Sequence, residues 1–127
     1  MVDAAADKKS QMEYRYLGRT GLKVSVIGFG TYMMPDTKDA QKLTTDCVRE
    51  LLKYGVNFFD TAEVYDTGKS ETALGNTFKE LNVRREEIVV STKVYWENMF
   101  SGTPSINSIG LSRKHVIEGV KNSLKRL

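Results

Sequence analysis

Val56-Asn-Phe-Phe-Asp60-Thr-Ala-Glu-Val-Tyr65 is the stretch on which the fold turns. A short apolar run ends abruptly in a carboxylate, and a tyrosine follows in the loop beyond. Val56, Phe58 and Phe59 favour an extended strand. Gly55 before them suits the left-handed residue that closes a helix, and Gly68-Lys-Ser70 after them opens another. The order is helix, strand, loop, helix, one beat of a βα repeat. In parallel α/β folds the chemistry gathers at the carboxyl ends of the strands. Asp60 and Tyr65 fall there, and so does Lys93, which ends the next apolar run, Ile88-Val-Val-Ser-Thr-Lys93. An Asp, a Tyr and a Lys on one rim are the parts of a proton-donating site.

Upstream, a helix is expected over 38–54, after a loop closed by Pro35 and capped by Asp36 or Thr37. Ala40, Leu43, Cys47, Leu51 and Leu52 recur at helical spacing, with Val48 widening the stripe. Cys47 on that stripe reads as core packing rather than a reactive thiol. Earlier still, Tyr14-Arg-Tyr-Leu17, Gly18-Arg-Thr-Gly21 and Leu22-Lys-Val-Ser25 read as a hairpin. Its second arm is expected to run on through Val24-Ser-Val-Ile-Gly-Phe-Gly30 as a first buried strand. Residues 1–12 are expected to be a disordered extension, leaving 13–127 as the folded part.

Downstream, a helix over 70–81 has Leu74, Phe78 and Leu81 on its apolar face, with Ala73, Gly75 and Thr77 keeping it slim. The stretch 96–110 is long and rich in Ser, Asn and Gly, a loop of the functional or mobile kind. Ser112 then caps a third helix, on which Val116, Val120, Leu124 and Leu127 share a face. Strand and helix alternate three times at a pitch of about 30 residues, the size of a βα unit.

The chain has 127 residues, enough for one domain. At 40% hydrophobic and 28% charged it has the composition of a folded globular chain. A net charge of +3 is too small to argue for nucleic acid. No apolar run approaches the length of a membrane span, and the first twelve residues lack the apolar core of a secretory signal. A single cysteine excludes an intramolecular disulfide, and together these features favour the cytoplasm. A closed eight-stranded barrel needs about 250 residues, so with three βα units either half of such a domain is missing, or a partner supplies it, or the architecture is not a barrel. The expectation is an incomplete domain.

Several motifs in order resemble the aldo-keto reductases, and most of all the branch that includes the β-subunits of voltage-gated potassium channels. They are Leu17-Gly-Arg-Thr-Gly-Leu-Lys-Val-Ser25, Gly28-Phe-Gly-Thr31, Asn57 to Tyr65, Ser70-Glu-Thr-Ala-Leu-Gly75, Ser91-Thr-Lys93 with Trp96, and Gly110-Leu-Ser-Arg-Lys-His-Val-Ile-Glu-Gly119. The resemblance implies the N-terminal part of a (β/α)8 TIM barrel whose bottom is plugged by the hairpin. It implies NADP(H) as cofactor and a small carbonyl compound as substrate. It places the general acid at Tyr65, the lysine that assists it at Lys93 and the carboxylate paired with that lysine at Asp60. Gly30, Thr31 and Tyr32 match a segment near the nicotinamide, as do Asp60 and Lys93. Tyr32 stands where the channel branch usually has Trp, and Tyr32 and Trp96 would border the substrate pocket. The fourth catalytic position of the family, His or Asn, and its pyrophosphate and adenosine segments correspond to positions beyond Leu127. His115 is no substitute, because it belongs to the third helix.

The chemistry explains the trio. A carbonyl accepting hydride develops charge on oxygen and needs a proton donor within about 3 Å. A free tyrosine is a weak acid near neutrality, and an adjacent lysine cation favours its phenolate. An aspartate keeps that lysine charged and in place.

Other readings of single motifs are weaker. Thr67-Gly-Lys-Ser70 lacks the first glycine of a phosphate-binding loop, with Glu63 in its place. Gly28-Phe-Gly30 is half a dinucleotide fingerprint, with Met33 at the third glycine's position. Arg113, Lys114, Lys121, Lys125 and Arg126 read as the solvated face of a helix. Three functions stay open: an NADPH-dependent carbonyl reductase, a regulatory β-subunit docked on a membrane channel, and a non-catalytic partial barrel acting by self-association.

Overall fold

The computed structural model describes residues 12–32, 39–96 and 105–127. The hairpin is present, as β1 (Tyr14–Tyr16) and β2 (Lys23–Ser25) paired antiparallel. The expected single strand over 24–30 is broken into two. Ser25 is the cause: its N–H donates to Asn57 Oδ1 at 2.7 Å, and its hydroxyl donates to Ile27 O at 2.6 Å. Such local bonds offer the backbone an alternative to a sheet ladder. The chain turns out of the hairpin and resumes parallel pairing at β3 (Phe29–Gly30). Val26 and Ile27, at the break, are 44% and 57% exposed. Asn57 Nδ2 also donates to Lys23 O at 3.1 Å, and Tyr14 Oη donates to Gly55 O at 2.7 Å, so the hairpin is tied to the start of the next strand.

Helix α1 (Ala40–Lys53) begins after Asp39, which makes no side-chain cap bond; the expected caps Asp36 and Thr37 lie outside the described residues. It ends as the sequence predicts. Gly55 takes φ +82°, Gly55 N–H donates to Leu52 O, and Val56 N–H donates to Leu51 O, both at 3.1 Å. These are the paired bonds of a Schellman motif.

The buried face of α1 differs from the expected stripe. Thr44, Thr45 and Val48 are buried, while Leu43 is 44% exposed and Cys47 is exposed. The reason is a polar seam against α2 (Lys69–Glu80). Thr45 and Thr77 share a hydroxyl bond at 3.1 Å, and Gln41 Nε2 donates to Ala73 O and Thr77 Oγ1 at 3.1 Å each. Thr44 satisfies itself by donating to Ala40 O at 2.8 Å. Buried hydroxyls with partners cost little, so they can occupy the inner face and leave Leu43 and Cys47 outside.

Strands β4 (Phe58–Asp60) and β5 (Val89–Ser91) complete a parallel sheet in the order β3-β4-β5. Val48, Val56, Phe59, Leu74, Phe78 and Ile88 form its buried core with α1 and α2. Phe59 meets the ring of Phe78 edge-on at 5.1 Å. Burial of each large side chain contributes about 1.5–3 kcal/mol. Leu74 and Phe78 thus sit where the sequence places them, and Met12 already packs against this cluster.

Helix α3 (Arg113–Arg126) is capped by Ser112, whose Oγ accepts from His115 N–H at 3.1 Å. Its orientation reverses the expectation. His115, Gly119 and Ser123 are buried, while Val116, Val120 and Leu124 are 37%, 43% and 71% exposed. At Gly119 the contact is close, since a Cβ there would lie 2.8 Å from Val94 and 2.9 Å from Glu63, while His115 is seated by its Nδ1, 2.6 Å from Gly110 O. The basic cluster also divides. Arg113, Lys114, Lys121 and Lys125 are exposed, but Arg126 turns inward onto Glu71. Among the described residues no helix is long and apolar enough to cross a membrane.

Candidate functional site

The sheet register brings Gly30, Asp60 and Ser91 level at the ends of three adjacent strands. Backbone bonds carry the pairing past those ends: Thr31 N–H to Asp60 O at 3.0 Å, Thr61 N–H to Ser91 O at 2.9 Å, and Glu63 N–H to Lys93 O at 3.2 Å. Side chains on one strand alternate faces, so Ser91 and Lys93 share the face of Asp60. Lys93 Nζ donates to Asp60 Oδ2 at 2.6 Å and to Thr61 O at 2.8 Å. The pair is part-open, with side-chain exposures of 52% for Lys93 and 38% for Asp60. Desolvation is the largest single influence on Lys93 and pulls its pKa down. The hydrogen bond to Asp60 and the charge of that carboxylate, with a smaller favourable contribution from the nearby Tyr65, outweigh it and hold the pKa above the ordinary lysine value.

Tyr65 opens a tight turn, Tyr65–Gly68, in which Asp66, Thr67 and Gly68 take φ of 46°, 53° and 88°. Left-handed backbone at a β-branched residue is rare and strained. The turn reverses the chain quickly enough to leave Tyr65 beside the strand ends and start α2 at Lys69. Lys93 Nζ lies 5.1 Å from the centre of the Tyr65 ring, and Tyr32 meets that ring edge-on at 4.9 Å. The structure therefore brings Asp60, Tyr65, Lys93 and Tyr32 into one cluster.

The other expected site residues occupy different settings. Gly30 has open space where a Cβ would stand. Thr31 is fully buried; its hydroxyl donates to Asp60 O at 3.3 Å, and its carbonyl accepts from Ser70 at 3.3 Å. Trp96 is 44% exposed and stacks at a tilt on Tyr95, 4.4 Å away. His115 packs inside the α3 contact, its Nδ1 at 2.6 Å from Gly110 O, and takes no place in the cluster.

Three supporting residues escaped the sequence reading. Ser91 donates to Asp60 Oδ1 at 2.6 Å. Glu63, buried between Asp60 and Tyr65 in sequence, accepts from Tyr95 N–H at 2.6 Å and lies 3.4 Å from His115 Nε2. It ties the Tyr65 loop to the segment after Lys93 and to α3. Glu71, fully buried, accepts from Thr92 Oγ1 and from Arg126 Nε, each at 2.6 Å. Strand alternation was the available signal for Ser91, two residues before Lys93. Nothing local marks Glu63 or Glu71 as anything but helix and loop carboxylates.

Comparison with known proteins bears on the family and the fold. Residues 26–127 match the model of the aldo/keto reductase family. A protein of Arabidopsis thaliana described as a probable voltage-gated potassium channel subunit beta is 47% identical over 120 residues, covering 91% of this chain and 34% of the relative. A protein of Oryza sativa subsp. japonica with the same description is 44% identical over 120 residues, with the same coverages of 91% and 34%. The solved holo form of aldo-keto reductase AKR11C1 from Bacillus halodurans superposes with a TM-score of 0.72 at 32% identity, covering 92% of this chain and 37% of that one. The chain thus spans about a third of the length of the curated relatives it matches. This chain belongs to the aldo/keto reductase family, close to its potassium-channel β-subunit branch, and forms the N-terminal part of that family's barrel.

Proposed function

We propose that this chain carries the proton-donating part of an NADPH-dependent carbonyl reductase site. The observation that supports this is Lys93, which bonds Asp60 at 2.6 Å and lies 5.1 Å from the centre of the Tyr65 ring. The rim also suits a nicotinamide. Gly30 leaves open space, Tyr32 presents a ring that is 70% exposed, and Asp60 and Lys93 are part-open to the same side. Gly30, Thr31, Tyr32, Asp60 and Lys93 would hold that end of the cofactor, with Thr31 shaping the rim from within. Bound NADPH would supply a hydride to the carbonyl carbon.

The chain's own residues manage the proton. Tyr65 Oη donates its proton to the carbonyl oxygen as charge develops there, giving an alcohol. The Lys93 ammonium sets a positive charge beside the phenol as the proton leaves. Asp60 and the Thr61 carbonyl hold that ammonium in position. Tyr32 and Trp96 would flank the substrate.

The test is a fluorescence titration of residues 1–127 with NADPH, run beside Lys93→Met and followed by an assay on simple aldehydes. Saturable binding that weakens in Lys93→Met supports the reading. Equal binding by both proteins overturns it.

The identity to the described channel subunits favours a second reading, a regulatory subunit that binds NADPH while docked on a membrane channel. Co-purification with a tetrameric membrane protein separates the two. The exposed row Val116, Val120 and Leu124 keeps self-association as a third reading, tested by the dependence of solution mass on concentration.

A further inference from the structure

The geometry points to Ser91 as a positioning residue of this site: its hydroxyl holds the Asp60 carboxylate in the orientation that presents Oδ2 to Lys93. The inference rests on the reading of Asp60, Tyr65 and Lys93 given above and adds to it a residue the trio needs.

Asp60 and Ser91 stand directly opposite in the β4–β5 register. The Ser91 Oγ donates to Asp60 Oδ1 at 2.6 Å, while Lys93 Nζ donates to Oδ2 at 2.6 Å. The two oxygens of one carboxylate are thus divided between a hydroxyl and an ammonium. A hydroxyl has one proton, and here it goes to a charged acceptor, which makes the bond one of the stronger kind.

The division matters because the carboxylate is otherwise loosely held. The terminal torsion of an aspartate is broad, with no sharp preferred angle. Asp60 is part-exposed, and an ion pair in that setting contributes little by itself, because water competes for both partners. A second anchor on Oδ1 removes the rotation that would let water replace the lysine. Lys93 has its own second anchor, the Thr61 carbonyl at 2.8 Å. Without Ser91 the ammonium would stay near the strand end yet lose its fixed direction toward Tyr65. The outward neighbour Thr92 pins the same strand from the other side through Glu71. Ser91 is therefore the anchor on the inner face.

The experiment follows the Lys93 ammonium directly, by nitrogen-15 lysine NMR near neutral pH on the 1–127 chain, with the signal assigned through Lys93→Met. Proton exchange from that ammonium is expected to quicken several-fold in Ser91→Ala and to return close to the original rate in Ser91→Thr, which keeps the hydroxyl. An unchanged rate in a folded Ser91→Ala protein overturns the inference. If Ser91→Ala fails to fold, the near-isosteric Ser91→Cys carries the test, with the same quickening expected and an unchanged rate overturning it. The NADPH titration of Lys93→Met judges the underlying reading, so the two ideas can fail separately.

Discussion

Arg126 donates from Nε to Glu71 Oε2 at 2.6 Å, across 55 positions of sequence. The other carboxylate oxygen accepts from Thr92 at 2.6 Å. One buried glutamate therefore joins α3, α2 and the residue immediately before Lys93. A buried carboxylate is tolerated only when its bonds are made, and removing it strands the groups that pointed at it. Glu71→Ala is expected to cost about 3 kcal/mol or more, read from the urea midpoint. A double-mutant cycle with Arg126→Ala should show strong coupling, whereas additive losses would mean the pair is incidental.

Gly75 marks where α3 touches α2 most closely. A Cβ there would stand 2.0 Å from the Arg126 carbonyl oxygen, so backbone must move. In an open helix, Gly→Ala gains about 0.5–1 kcal/mol. Here the clash dominates, and Gly75→Ala is expected to lose about 1–3 kcal/mol. Thermal unfolding of the single variant decides the sign.

The raised pKa of Lys93 gives its ion pair a defined pH range. A lysine whose folded value exceeds its unfolded value contributes stability that is fully present below the unfolded value, near 10.5, and lost as pH rises through the folded one. Because Lys93 is half-exposed, the contribution should stay under about 1 kcal/mol. The stability difference between the parent and Lys93→Met should be flat through neutral pH and close above about pH 10.5. A difference that closes on the acid side instead would contradict the assignment.

Tyr65→Phe removes the proposed proton donor and leaves the ring between Lys93 and Tyr32. Carbonyl reduction should fall by roughly a hundredfold or more, with NADPH affinity little changed. A parallel loss of both would assign Tyr65 to binding rather than proton transfer.

The sheet and the cluster of side chains at its rim were legible because strand ends announce themselves. Asp60 and Lys93 each close an apolar run, and Tyr65 follows in the loop, so three local signals converge on one rim. The helix faces were not legible in the same way. Apolar spacing pointed to Leu43 and Cys47 on α1 and to Val116, Val120 and Leu124 on α3. The chain instead buries Thr44, Thr45 and Thr77, whose hydroxyls satisfy one another or the helix backbone, His115, whose ring is seated against Gly110 O, and Gly119 and Ser123, which admit a close approach. Periodicity reports how apolar a face is, not how near its neighbour stands. Ser91 and Glu71 were hidden for a different reason. Their partners lie 31, 21 and 55 residues away: the sheet register brings Ser91 to Asp60, and the packing of α2 against the end of β5 and against α3 brings Glu71 to Thr92 and Arg126.

The parallel pairing of β5 on one side only can be read amide by amide. Val89 N–H donates to Asn57 O at 2.7 Å, and alternation turns Ser91 N–H the same way, toward β4. Val90 and Thr92 then direct their N–H groups to the opposite side, where β5 has no neighbouring strand among the described residues. Deuterium should enter this short strand in an odd-even rhythm, slowly at Val89 and Ser91 and quickly at Val90 and Thr92. Whatever strand comes to lie beside β5 will silence the fast pair first, so these two amides serve as a gauge of barrel closure that needs neither cofactor nor substrate.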